Sequence, residues 1–157
     1  MQERRVIVPP SGPILPGDFK LMVTVRSEHT DSVMSVIEET LAPKSFIPPH
    51  THKNDVWVYV LSGEIGVLVG DDVARASEGQ WALKPRDVMH AMWNATSAPA
   101  KIIEILTPGG SERWFEEVSQ IHEGDQVRFD EACERYGIEF FRTSPWTEEL
   151  RRRFGLH

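Results

Sequence analysis

Pro48-Pro49-His50-Thr51-His52 is followed, after Lys53, Asn54 and Asp55, by an unbroken β-type run, Val56-Trp57-Val58-Tyr59-Val60-Leu61. In an extended segment His50 and His52 share a face, because successive strand residues point to opposite sides. Their Cα atoms then stand roughly 6.5–7 Å apart, close enough for two imidazoles to converge on one ion. Two solvated histidines on a strand that enters a loop would read the same way, so the pair alone leaves both possibilities open.

Short β-type runs surround this segment at close spacing: Lys20 to Val25, Ser32 to Leu41, Val56 to Leu61, Ile65 to Val69, Val73 to Ala76, Gln80 to Leu83, His90 to Trp93 and Lys101 to Leu106. Turn residues bound each of them. Ser62-Gly63 and Gly70-Asp71-Asp72 are hairpin-type breaks, and Ala42-Pro43, Gly79, Pro85-Arg86-Asp87 and Ser97-Ala98-Pro99 are further stops. Strands at this rhythm, without helices between them, predict a closed all-β sheet, a sandwich or barrel, over residues 19–107. Upstream, Pro9, Pro10, Pro13 and Pro16 with Gly12 and Gly17 exclude a helix and predict an extended arm over residues 1–18.

After Thr107-Pro108-Gly109-Gly110 the period becomes helical. Ser111 stands as a cap before a stripe of Trp114, Val118 and Ile121; a second helix starting near Asp130 places Phe129, Cys133 and Tyr136 on one face and stops at Gly137. Ser144-Pro145 opens a third, with Trp146, Leu150 and Phe154 on its stripe and Gly155 as its stop. Residues 108–157 therefore read as helices packed on the outside of the barrel, in one domain spanning 1–157. Arg151 to Arg153 fall in the last turn of the third helix, where cations complement the helix dipole. Cys133 reads as buried filler, since no base stands near it in the sequence.

The totals narrow the function. A formal net charge of −7 argues against a nucleic-acid partner, which would need a surplus of Lys and Arg. No apolar run is long enough for a membrane span, and a single cysteine excludes an internal disulfide, which fits a cytoplasmic setting.

A second stretch bears on the histidines. Gly79-Gln80-Trp81-Ala82-Leu83-Lys84-Pro85-Arg86-Asp87-Val88-Met89-His90-Ala91-Met92-Trp93-Asn94 puts His90, Met92 and Asn94 on one strand parity, so that an imidazole, a thioether and an amide share one interior face. At these residues the chain resembles the cupin superfamily, small β-barrels with a first motif G-x5-H-x-H-x3,4-E-x6-G and a second motif G-x5-P-x-G-x2-H-x3-N. The second is met at Gly79, Pro85, His90 and Asn94, and the first at His50, His52 and Gly63. Glu28-His29-Thr30-Asp31, Thr107-Pro108-Gly109-Gly110 and Arg135-Tyr136-Gly137-Ile138-Glu139 are also similar to the small single-domain members often called quercetin-dioxygenase-like. The resemblance implies a mostly β fold, the cupin double-stranded β-helix or jelly-roll barrel with C-terminal helices outside it. It also implies a homodimer, for which Trp57 and Tyr59, on the outward parity, would supply the subunit contact.

Three positions depart from the motifs. Val56 stands at the family's glutamate ligand, Lys44 at the first motif's glycine and Asp87 at the inner glycine of the second. The metal ligands carried over are therefore His50, His52 and His90. Asp55, the nearest carboxylate, would reach the ion only through a bulge. Three neutral imidazoles would leave a divalent transition metal its full charge and favour an anionic substrate. Zn, Fe, Ni, Cu, Co and Mn are not separable on this ligand set. Val56, Val58, Val60, Trp81, Leu83, Met92 and Asn94 are the expected lining of a substrate pocket, some of them plain barrel core. Glu38 and Glu104, on strands within apolar context, are candidate general bases.

The resemblance implies a metal-dependent oxidoreductase, dioxygenase-like, acting on a phenolic substrate. The same cavity also suits a non-redox cyclase or isomerase on an enolisable polyketide-like substrate. A third possibility is a cupin without catalysis that only holds a small molecule.

Overall fold

The computed structural model describes residues 19–157. The arm expected over residues 1–18 lies outside the described residues.

The chain runs through β1 (Phe19–Val25), a 3-10 turn (Ser27–Thr30), β2 (Ser35–Leu41), β3 (Phe46–Thr51), β4 (Asp55–Ser62), β5 (Glu64–Val69), β6 (Asp72–Ser77), β7 (Trp81–Lys84), β8 (His90–Trp93) and β9 (Ala100–Thr107). The helices α1 (Glu112–Val118), α2 (Gln126–Tyr136) and α3 (Pro145–Phe154) follow, with the two-residue strand β10 (Glu139–Phe140) between α2 and α3. Among the described residues the strands form two antiparallel five-stranded sheets, ordered β1-β2-β9-β4-β7 and β10-β3-β8-β5-β6. The spacing of the runs predicts this closed all-β sheet, and its jelly-roll form is the one that the resemblance implies.

Alternation builds the core. Ile37 and Leu41 of β2, Val58 and Val60 of β4, Ile65 of β5, Met92 of β8 and Ile102 of β9 point between the sheets and are fully buried. β8 is buried on both faces: Met92 faces the barrel, while Ala91 and Trp93 face outward into a second apolar cluster with Leu68, Leu150 and Leu156. That cluster docks α3, and Trp93 stacks on Phe154 with ring centroids 5.1 Å apart. Burying roughly 200 Å² of indole at about 25 cal/mol per Å² contributes about 5 kcal/mol. Gly66 makes this seat possible, because a Cβ there would lie 2.1 Å from the Trp93 ring.

Local chemistry corrects several element boundaries. His50 lies on its own strand, β3, His52 follows directly after its end, and Lys53 and Asn54 turn the chain before β4, so the two runs are separate strands. α2 starts earlier than its apolar stripe suggests, because the Asp125 side chain caps it by accepting the Arg128 N–H at 3.2 Å. Ser144 caps α3 as expected, accepting the Trp146 N–H at 3.3 Å. Ser111 makes no side-chain cap on α1; its hydroxyl accepts from Asn54 Nδ2 at 2.9 Å.

Lys44 and Asp87 hold left-handed backbone, with φ of 62° and 60°. These are the two motif-glycine positions, and an L side chain costs about 1–2 kcal/mol in that region. Each has compensating bonds: Lys44 Nζ donates to the carbonyls of Ala95 and Phe154, and the Asp87 N–H donates to the His52 carbonyl at 2.9 Å.

Candidate metal centre

His50 and His90 face each other across the β3–β8 ladder, in register as partners, and a bulge between Ile47 and His50 precedes that pairing. His52 follows one residue beyond the end of β3. The three rings meet inside the barrel, with centroids 4.3 Å (His50–His90), 4.4 Å (His52–His90) and 5.8 Å (His50–His52) apart. One nitrogen from each lies within 4.8 Å of the others, and all three residues are buried.

Backbone carbonyls orient the rings. Nδ1 of His50 lies 2.8 Å from the Pro48 carbonyl, Nδ1 of His52 lies 2.7 Å from that of Asn54, and Nδ1 of His90 lies 2.9 Å from that of Val88. A carbonyl only accepts, so each Nδ1 carries the proton and each Nε2 keeps its lone pair. Nε2 of His50 and Nε2 of His90 then face each other at 3.1 Å, and Nε2 of His52 is buried without a hydrogen-bond partner among the described residues. Converging lone pairs in a buried site repel one another unless an electrophile sits among them. Protonation does not relieve them at neutral pH: burial first and the Lys84 ammonium second push His50 down to about 3 and His52 down to about 4. His90 is lowered as well, by burial and then by its His50 neighbour. The donor set and its orphaned lone pairs fit a divalent transition metal.

Beside the histidines stands a polar trio that sequence reasoning mostly missed. Lys84, at the end of β7, is 4% exposed and pairs with the Glu104 carboxylate of β9, which is 3% exposed. Glu39 of β2, also 3% exposed, completes it. These three line a cavity of about 70 Å³ together with His50, His52, Asn54, Ile47, Val56, Leu106 and the aromatic rings of Trp114, Phe115 and Phe140. An apolar mouth of about 360 Å³ adjoins the cavity: the two share Glu39, Ile47 and those same aromatic side chains, and Phe19, Leu21, Phe46 and Val118 line the rest of the mouth. The mouth is the size of a small-molecule site and its depth is polar.

Other expected site residues sit elsewhere. Trp81 and Leu83 face outward: Trp81 is 53% exposed and packs on Tyr59 at 4.8 Å, while Leu83 pairs with the exposed Trp57. The interior parity of β7 belongs to Ala82 and Lys84, because Lys84 finds its counter-charge inside. Glu38 is half-buried on the outer face of β2, opposite Met22 and Ile103, and its neighbour Glu39 takes the inward position. Asp55 is not part of the convergent group; it accepts from the Arg86 N–H and guanidinium, both at 2.9 Å. Val58, Val60 and Met92 are inward but belong to the core. Asn94 is a structural tie, with Nδ2 donating to the carbonyls of Leu41 (3.1 Å) and Ala98 (2.8 Å) and Oδ1 accepting from Thr96. Val56 and Glu104 do line the cavity. Glu39 could have been found in the sequence, since Ile37 and Leu41 share its parity.

Residues 37–106 match the family model described as Cupin domain. Over those residues, which hold all three histidines, the chain is similar to the cupins, and its double-stranded β-helix is the cupin fold. Among curated proteins none matches the chain. Solved structures with the same fold include KdgF from Halomonas sp. (16% identity, 61% of this chain and 84% of that one, TM-score 0.55). The polyketide cyclase RemF from Streptomyces resistomycificus is similar at 17% identity over 57% of this chain and 65% of that one, TM-score 0.52. A predicted oxalate decarboxylase from Thermotoga maritima is similar at 15% identity over 59% and 82%, TM-score 0.56. No helix among the described residues is long and apolar enough to cross a membrane.

Proposed function

We propose that the protein is a metal-dependent cupin enzyme acting on a small anionic substrate with an aromatic, phenolic or polyketide-like body. The observation that carries this reading is the convergence of three Nε2 lone pairs, fixed by carbonyls on the opposite nitrogen of each ring, at the base of an apolar mouth. His50, His52 and His90 would hold the ion. When bound, it would supply Lewis acidity, and with three neutral ligands it keeps the charge of a dication for an anionic oxygen. Trp114, Phe115 and Phe140 would bind the apolar body and exclude water from the depth.

Two chemistries suit this arrangement, ring-cleaving dioxygenation and non-redox cyclisation or isomerisation. The buried trio of Lys84, Glu104 and Glu39 beside the histidines favours the second, since proton transfer to and from an enolisable substrate needs carboxyl groups at that place. Metal analysis of purified protein is the test: about one transition-metal ion per chain is expected, lost in His50→Ala and in His90→Ala. Metal-free protein, or a metal content that the histidine variants leave unchanged, removes the reading. Oxygen uptake with a panel of phenols then separates the chemistries, and vigorous uptake would reverse the preference for the non-redox reaction.

A further inference from the structure

Glu39 is a carboxyl group whose cationic neighbour, Lys84, is already in contact with another carboxylate. It lines both the histidine cavity and the apolar mouth, so it stands within reach of a ligand seated in either. Its Oε2 is buried with no hydrogen-bond partner among the described residues. Around it, β9 contributes Glu104 and β7 contributes Lys84, already paired with each other. β1 presents Leu21 across the ladder and Phe19 beside it, and α1 presents Trp114 and Phe115. His50 and His52, with His90 behind them, stand uncharged on the cavity's other wall. One cation and one anion cancel, and a second anion would have nothing to pair with. A buried carboxylate in that position is far costlier than a buried carboxylic acid. In agreement, burial first and the Glu104 charge second push the Glu39 carboxyl up to about 8, against the pull of Lys84.

We propose that Glu39 is the proton-holding residue of this cavity: a neutral carboxylic acid whose Oε2–H is donated to the anionic oxygen of a ligand seated with its ring in the mouth. The proposal rests on the metal-enzyme reading for the ligand's anionic end. In the complex the proton can pass from Oε2 to the ligand oxygen, breaking one O–H bond and forming another. Glu39 is then left as a carboxylate near Lys84, and the same proton returns to Oε2 from the ligand oxygen before the ligand leaves. The ligand class this selects is a carboxylate or phenolate on an aromatic ring.

Two measurements test it. Infrared difference spectra of Glu39→Gln against the unaltered protein at neutral pH should show loss of a protonated-carboxyl band, which Glu38→Gln on the outer face leaves in place; no such band, or one that survives Glu39→Gln, overturns the proposal. The second uses benzoate, ionised throughout, as the probe on zinc-loaded protein. From about pH 6 to about pH 8 the Kd values of the unaltered protein and of Glu39→Gln should keep a constant ratio. Above about pH 8 the unaltered protein should lose about tenfold per pH unit relative to the variant, as its own carboxylate forms. A ratio that stays constant to about pH 9.5, or zinc-loaded protein that does not bind benzoate, overturns it. If Glu39→Gln does not fold, Glu39→Met serves, and weakening of benzoate binding by about tenfold or more at pH 6.5 is expected from loss of a hydrogen bond to a charged group. Protein that takes up no zinc refutes the metal reading, while the infrared band still decides the state of Glu39.

Discussion

Lys84→Met isolates the electrostatics of the cavity. In the native protein the ammonium and the Glu104 carboxylate are in contact, each almost wholly buried. Removing the cation leaves Glu104 two options. It can stay ionised without a partner, at about 3–5 kcal/mol. It can instead take a proton that an ordinary carboxyl, near 4.3, gives up at pH 7, which costs about 1.4 × 2.7, or about 3.7 kcal/mol. The cheaper route sets the loss, so metal-free Lys84→Met should be about 3–4 kcal/mol less stable at pH 7 by urea denaturation. The sign of its pH dependence follows. As pH falls toward about 5, the unfolded chain is itself increasingly protonated and the penalty shrinks by about 1.4 kcal/mol per pH unit, to about 1 kcal/mol. Lys84→Met/Glu104→Met, with neither charge, should recover most of the stability. A single variant that loses less than about 1 kcal/mol at pH 7, or whose loss does not shrink on acidification, would show that the pair is not desolvated and refute the reasoning.

Three further outcomes are expected. Glu39, raised to about 8, holds a proton in the folded state that the unfolded chain releases near 4.5, so the stability it confers is full below about pH 4.5 and is lost as pH rises through about 8. Glu39→Gln should therefore gain on the unaltered protein by on the order of 1 kcal/mol per pH unit across that window, and parallel stability curves would contradict the assignment. Val56→Glu puts a carboxylate on the cavity wall beside His50 and His52 and should tighten zinc binding by about tenfold or more in a competition titration; unchanged affinity would mean that position 56 does not address the ion. Gly66→Ala drives a methyl group into Trp93, which is pinned by Phe154, and should cost about 2 kcal/mol or more; wild-type thermal stability would mean that the indole can move aside.

The sequence reveals the barrel because period-two alternation and turn residues speak for the same elements, and because the spacing from Gly79 to Asn94 places His90. It does not reveal which side of a short strand faces in when both sides are plausible. β7 offers Trp81 and Leu83 against Ala82 and Lys84, and apolarity favours the wrong pair. The deciding contact is with Glu104, 20 residues away in the chain. β2 offers Glu38 against Glu39, where the apolar neighbours Ile37 and Leu41 do point to the right one. The break between β3 and β4 falls at Lys53-Asn54, with neither Gly nor Pro to mark it, and two-residue β10 is too short to have a period.

The valine at position 56 and the lysine at position 84 explain each other. They are direct partners in the β4–β7 ladder, with both side chains buried toward the cavity. On one face of an antiparallel pair, directly opposed Cβ atoms stand about 4.5–5.5 Å apart. A carboxylate at 56 would lie within reach of Lys84 as well as of the histidines, so the ammonium would face two carboxylates and its bond to Glu104 would weaken. With valine there, the ammonium is committed to Glu104, the three histidines stay uncharged, and Glu39 is left as the carboxyl without a counter-ion. The valine at the family's carboxylate position and the unpaired acid at Glu39 are thus two consequences of one charge balance. The carboxyl that this charge balance leaves unpaired stands where the histidine cavity and the apolar mouth share a wall.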